Sequence, residues 1–142
     1  MARTEKGLTV KEEAVVAINI DTDIVVARHK SRELAAQLGF SYVDLTLIAT
    51  AVSELARNIV LYGGAGEIQL SLVENGVNRG IVVVAEDHGR GIADINRALQ
   101  DGYSSSGSLG LGLPGTRRLM DEFEIVSAPG KGTKVTVKKW KR

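Results

Sequence analysis

A chain of 142 residues is enough for one domain and its core, and it leaves no room for a second. With 44% hydrophobic and 25% charged residues it has the make-up of a globular domain, and its net charge of +1 gives no field to draw a polyanion such as nucleic acid. The absence of cysteine excludes disulfides and thiolate metal sites.

Residues 1–10 are mixed and charged, without the apolar segment of a signal peptide, and the longest apolar runs are strand-sized. A bilayer span needs roughly 20 such residues, so a cytoplasmic protein with no membrane partner is expected. Residues 1–12 are expected to be a flexible N-terminus and 13–142 a single domain.

Residues 14–20, rich in Val and Ile, predict a strand. Asp21 is placed to cap a helix over residues 22–38, closed by Gly39 in the left-handed conformation. Ser41 caps a second helix, with Asp44 three residues on, ending near residue 62 at Gly63-Gly64. Ile48, Val52, Leu55, Ile59 and Tyr62 recur at three- and four-residue spacing along it, which predicts a buried stripe.

Residues 67–74 and 81–85 read as strands joined by turn chemistry at 75–80, a hairpin. Residues 87–112 are dense in Gly and Ser, with room for a short helix around 93–100. A helix over 111–121 leads to a strand pair, 123–127 and 133–140, turning at Pro129-Gly130. Helices grouped against a mixed, mostly antiparallel sheet predict a two-layer α+β sandwich. An irregular stretch of more than about 15 residues in a compact domain tends to be functional, which directs attention to 87–112.

Three constellations carry chemistry. Glu54 and Asn58, four apart on the second helix, share a face at the rim of the apolar stripe, and Thr50 extends it one turn back. Taken alone, the pair reads more readily as a solvated helix face than as a site. Asp87-His-Gly-Arg-Gly91 follows the apolar strand. A carboxylate there can accept from an exocyclic amine, with glycines exposing backbone to a ligand, but an ordinary Asp-initiated turn has the same pattern. The third is the Ser104 to Leu113 run leading into a helix, where amides freed of side chains by glycine can cradle phosphate oxygens. Leu109, Leu111 and Leu113 interleave those glycines, which argues against a plain linker.

His29 and His88 read as surface residues, not ligands, and no cluster has metal-cage spacing. Gly110-Leu-Gly-Leu-Pro-Gly115 matches G-x-G-x-x-G but follows serines instead of a strand, so a dinucleotide fold is rejected.

In order and spacing, the three constellations resemble the N, G1 and G2 boxes of the GHKL ATPase superfamily, which has the Bergerat fold with helices on one sheet face. The runs Ala51-Val-Ser-Glu-Leu-Ala-Arg-Asn58, Asp101-Gly-Tyr-Ser-Ser-Ser-Gly107 and Gly112-Leu-Pro-Gly-Thr-Arg-Arg-Leu-Met-Asp-Glu-Phe123 are similar to the serine/threonine kinases that act as stressosome switches in bacteria. The resemblance implies ATP and Mg²⁺ as cofactors and a role for each matching residue. Glu54 would be the general base and Asn58 the Mg²⁺ ligand. Asp87 would accept from the adenine amine, with Gly89 and Gly91 allowing close approach and Thr133 helping to hold the base. Gly107, Gly110, Leu111 and Gly112 would offer backbone to the phosphates, with Leu109 beside them. Residues 92–109 would form a lid.

The implied substrates are STAS-domain proteins, and the implied downstream partner is a PP2C-type phosphatase. The alternatives are an anti-sigma factor kinase that binds a sigma subunit directly and a non-catalytic nucleotide-binding adaptor. A homodimer stays open. Arg57 and Arg97 are candidates for phosphate or partner contact. The basic run from Lys138 to Arg142 reads as protection of an edge strand.

Overall fold

In the computed structural model, which describes residues 3–5, 7–92, 99 and 112–142, the strands form one six-stranded sheet in the order β1-β2-β3-β4-β6-β5. The strands are β1 (Arg3–Glu5), β2 (Leu8–Ile18), β3 (Gly66–Asn75), β4 (Asn78–Asp87), β5 (Glu122–Ser127) and β6 (Thr133–Trp140). Every pairing is antiparallel, so the sheet is simpler than the mixed one expected. The helices are α1 (Asp21–Ala36), α2 (Tyr42–Asn58) and α3 (Gly112–Leu119), and a π-helical turn, Ile59–Gly63, extends α2.

Alternate residues of each strand face the helices. Ile68, Leu70 and Leu72 of β3, Ile81, Val83 and Ala85 of β4, and Val135 and Val137 of β6 pack there with Ile48, Val52 and Leu55 of α2 and Ile59 of its π-turn. Burying each of those α2 side chains contributes about 1.5–3 kcal/mol, which is how a helix with a polar rim is held on the sheet. The opposite parity, Val82 and Val84 with Leu8, Val10 and Val73, forms a smaller apolar cluster on the other face.

Several expectations change. Residues 8–12, assigned to the loose N-terminus, are the first half of β2. Their charged side chains stand on exposed positions, and a register shift between Val10 and Glu12 breaks the alternation that would have revealed the strand. Asp21 does not cap α1. Asp23 does so from inside, its carboxylate accepting from the amides of Asn19 and Ile20 at 2.8 and 3.1 Å. Ser41 caps α2 as read, accepting from the Asp44 amide at 3.1 Å, and Gly39 is left-handed at φ +79°. Tyr62 leaves the buried stripe and is 37% exposed, because the π-turn rotates it away from the sheet.

The helix Tyr42–Gly63, counting its π-turn, is long and apolar enough to cross a membrane, which corrects the strand-sized estimate. Here its apolar side is the core contact. The basic C-terminus does not guard an edge either. β6 lies between β4 and β5, and β5 is the edge. Asp121 and Glu122 hold the run instead: Asp121 meets Arg142 at 3.0 Å and accepts from the Trp140 amide at 2.7 Å, and Glu122 accepts from the Trp140 indole at 2.6 Å. The possible short helix around 93–100 lies outside the described residues, apart from Leu99.

Candidate functional site

One row of residues crosses the end of the sheet. Gly66 on β3 pairs with Asp87 on β4, Asp87 with Thr133 on β6, and Thr133 with Ser127 on β5. Each has the parity of the core residues in its strand, so the row faces the helices. β4 runs two residues beyond its expected end, which carries Asp87 to the last ladder position beside Thr133.

Glycine makes room for Asp87. A β-carbon at Gly63, the last residue of the π-turn, would fall within 2.5 Å of the Asp87 carboxyl carbon. At Gly66 it would strike the Glu86 carbonyl, and at Gly132 (φ +77°) the Asp87 carbonyl. Gly89 lies against the backbone of Gly63 and Tyr62, and Gly91 (φ +75°) against the Ala128 carbonyl. The reason for glycine at 89 and 91 is thus close approach of the chain's own backbone, where the sequence pattern had suggested approach by a ligand. Asp87 is half-buried, and its Oδ1 accepts from the Gly89 amide at 2.9 Å. Among the described residues, Oδ2 is left for another donor.

Ser127 was not singled out by its sequence context. Its Oγ lies 2.8 Å from the Ile92 amide, 2.9 Å from the Gly132 carbonyl and 2.8 Å from the Thr133 hydroxyl. A lone serine before a Pro-Gly turn carries no signal for this, since its partners come from two other segments, at residue 92 and at residues 132–133.

The second group sits on α2. Glu54 is buried, 6% exposed, and its Oε2 accepts from the Gly112 amide at the start of α3 at 3.3 Å. An amide at a helix start is a natural partner for an anion. Asn58, one turn on, is half-buried at the last α-helical position before the π-turn, and single π-turns inside helices are frequent at functional sites. Among the described residues its carboxamide has no partner, which leaves it free to coordinate a cation. Thr50 is half-buried one turn before Glu54, and its hydroxyl donates to the Thr46 carbonyl at 2.8 Å. Arg57 is half-buried, with its Nε enclosed and unpaired among the described residues.

Glu54 and Gly63 are nine residues apart on one continuous helix, roughly 13 Å along its axis. Asp87 therefore meets the end of this helix while Glu54 lies roughly 13 Å back along its axis, a span on the scale of a nucleoside triphosphate. The residues present fit such a molecule: an acceptor for a base, a free carboxamide, and a helix start aimed at an anion. Among the described residues no three His, Cys, Asp or Glu side chains could enclose a metal ion, so a cation here would lean on the ligand's own phosphates. Gly107, Leu109, Gly110, Leu111 and Arg97, and the expected lid apart from Ile92 and Leu99, lie outside the described residues. His29 and His88 are exposed, as read.

The histidine kinase-like ATPase domain family matches residues 20–139. The chain is 48% identical over 131 residues to the serine/threonine-protein kinase RsbT of Bacillus subtilis, covering 92% of this chain and 98% of that one. It is 32% identical over 118 residues to the anti-sigma F factor of Thermoanaerobacter sp. (strain X514), covering 80% and 82%. The crystal structure of the RsbU and RsbW domains of Rv1364c from Mycobacterium tuberculosis shares the fold, with a TM-score of 0.63 at 21% identity. That match covers 93% of this chain and a third, 33%, of the other.

Proposed function

Because the chain belongs to the histidine kinase-like ATPase domain family, we propose that it moves the γ-phosphoryl group of ATP onto a serine or threonine of a STAS-domain partner in a bacterial stress-signalling switch. Protein-kinase activity is the coarse part of this reading and rests on the near full-length likeness to a serine/threonine kinase. The finer part names the STAS substrates, release to a PP2C-type phosphatase, a stressosome setting, a cytoplasmic location and the use of Mg²⁺.

The observation that carries the site is a pair of contacts on one helix: Asp87 packs against Gly63 at its end, and Glu54, further back, meets the Gly112 amide. Asp87 Oδ2 accepts from the exocyclic amine of the base, with Thr133 beside it. Asn58 supplies a side-chain oxygen to the cation that neutralises the phosphates, and the Gly112 amide borders them. Phosphoryl transfer depends mostly on positioning and charge neutralisation, and these groups supply both. Glu54 takes the proton of the attacking hydroxyl, a contribution of about 10²–10⁴-fold for a well-placed base.

The likeness to anti-sigma F factors supports a second reading, in which the chain binds a sigma subunit directly. Incubation with STAS-domain proteins and a sigma subunit in Mg-ATP, followed by phosphosite mapping and pull-down, separates the two. Phosphate on a STAS serine or threonine supports the first; sigma capture without it supports the second.

A further inference from the structure

Ser127 stands at the end of the row that carries Asp87 and Thr133, yet the nucleotide reading gives it no part. Its three neighbours leave one arrangement of protons. A hydroxyl has one proton and two lone pairs. The Ile92 amide can only donate and the Gly132 carbonyl can only accept, so Ser127 gives its proton to Gly132 and one lone pair to Ile92. The second lone pair faces Thr133 at 2.8 Å, and the Thr133 hydroxyl must be the donor. Ser127 therefore consumes the Thr133 proton, and Thr133 has only lone pairs to offer elsewhere. Its other neighbour in the row, Asp87, is an acceptor when ionised.

We propose that Ser127 is a specificity-determining positioning residue: by fixing the Thr133 proton it makes the Asp87–Thr133 edge acceptor-only, which selects a base presenting an amine over one presenting a carbonyl. This rests on the nucleotide reading above and adds to it the group that sets base choice. A 6-oxo purine brings oxygen lone pairs against those of Asp87 and Thr133. A site built to hydrogen-bond one group rejects an analogue that leaves its own polar groups unpaired. Replacing Ser127 by alanine frees the Thr133 proton, and the hydroxyl can then turn and donate to a carbonyl.

The test is calorimetric titration of the full chain with magnesium and either ADP or inosine diphosphate, for the unmodified protein, Ser127→Ala, Ser127→Thr, Thr133→Val and the double variant. The preference for ADP is expected to fall by about tenfold in Ser127→Ala, one hydrogen bond's worth, and to return in Ser127→Thr. In the Thr133→Val background, Ser127→Ala is expected to leave the preference where Thr133→Val alone puts it. If Ser127→Ala does not fold, Ser127→Cys, a poorer acceptor, carries the same comparison. An equal loss for both nucleotides, with the preference unchanged, overturns the proposal while sparing the nucleotide site. Failure of the unmodified protein to bind ADP at all overturns both.

Discussion

The Glu54 carboxylate and the Gly112 amide are joined by a 3.3 Å hydrogen bond across 58 residues of sequence, which ties the middle helix to the start of α3. Because the bond needs only an acceptor at position 54, glutamine preserves it while removing the base.

Glu54→Gln is therefore expected to fold and bind ATP within a few-fold of the unmodified protein, and to transfer phosphate about 10²–10⁴-fold more slowly. Radiolabel transfer to a STAS-domain partner, measured beside ATP affinity, checks the split. Equal transfer rates would remove Glu54 from the chemistry.

Gly132 combines a left-handed backbone with no space for a side chain, since a β-carbon there would enter the Asp87 carbonyl and crowd His88. Gly132→Ala is expected to cost about 2 kcal/mol or more in urea unfolding. Gly130→Ala, at φ +77° with open space around it, keeps the backbone strain alone and should cost about 1 kcal/mol. Equal losses would show that the crowding around Asp87 is relieved by small shifts.

Asp121 sets an acid limit on stability. Burial pushes its carboxyl up, but the Trp140 amide, Lys139 and Arg142 together outweigh this and hold it below the ordinary value. A depressed carboxyl stabilises the folded state above its unfolded pKa, and that contribution is lost as pH falls through the folded value. Stability of the unmodified protein should therefore decline below about pH 4, and Asp121→Asn should show a shallower acid slope in urea titrations at stepped pH. Identical slopes would mean that the C-terminal anchor forms without its charge.

Much of this architecture is legible in local patterns. The three- and four-residue spacing of Ile48, Val52, Leu55 and Ile59 identifies the core face of α2, and Ser41 and Gly39 mark the helix ends by their own chemistry. What local patterns hide is whatever depends on strand order or register. β2 escapes at Lys11, Glu12 and Glu13 because exposed charges and a bulge mask the alternation. The burial of β6 between β4 and β5 follows from chain topology, so its lysines look like edge protection until the order is known. Ser127 is the clearest case in the site: its significance arises only when Ile92, Gly132 and Thr133 meet it in space. Glu54, Asn58 and Asp87 stand out earlier because their spacing fits a known pattern of boxes.

Titration of ATP with magnesium into the intact protein and into Asp87→Asn, followed by calorimetry, bears most directly on the Asp87 end of the site. Asparagine keeps the size of the side chain and an oxygen for the Gly89 amide, but it removes the charge beside the base. A saturable one-site heat in the unmodified protein, weakened about tenfold or more in the variant, is expected. No heat with folded protein, or equal affinity in both, would contradict a nucleotide seated on Asp87.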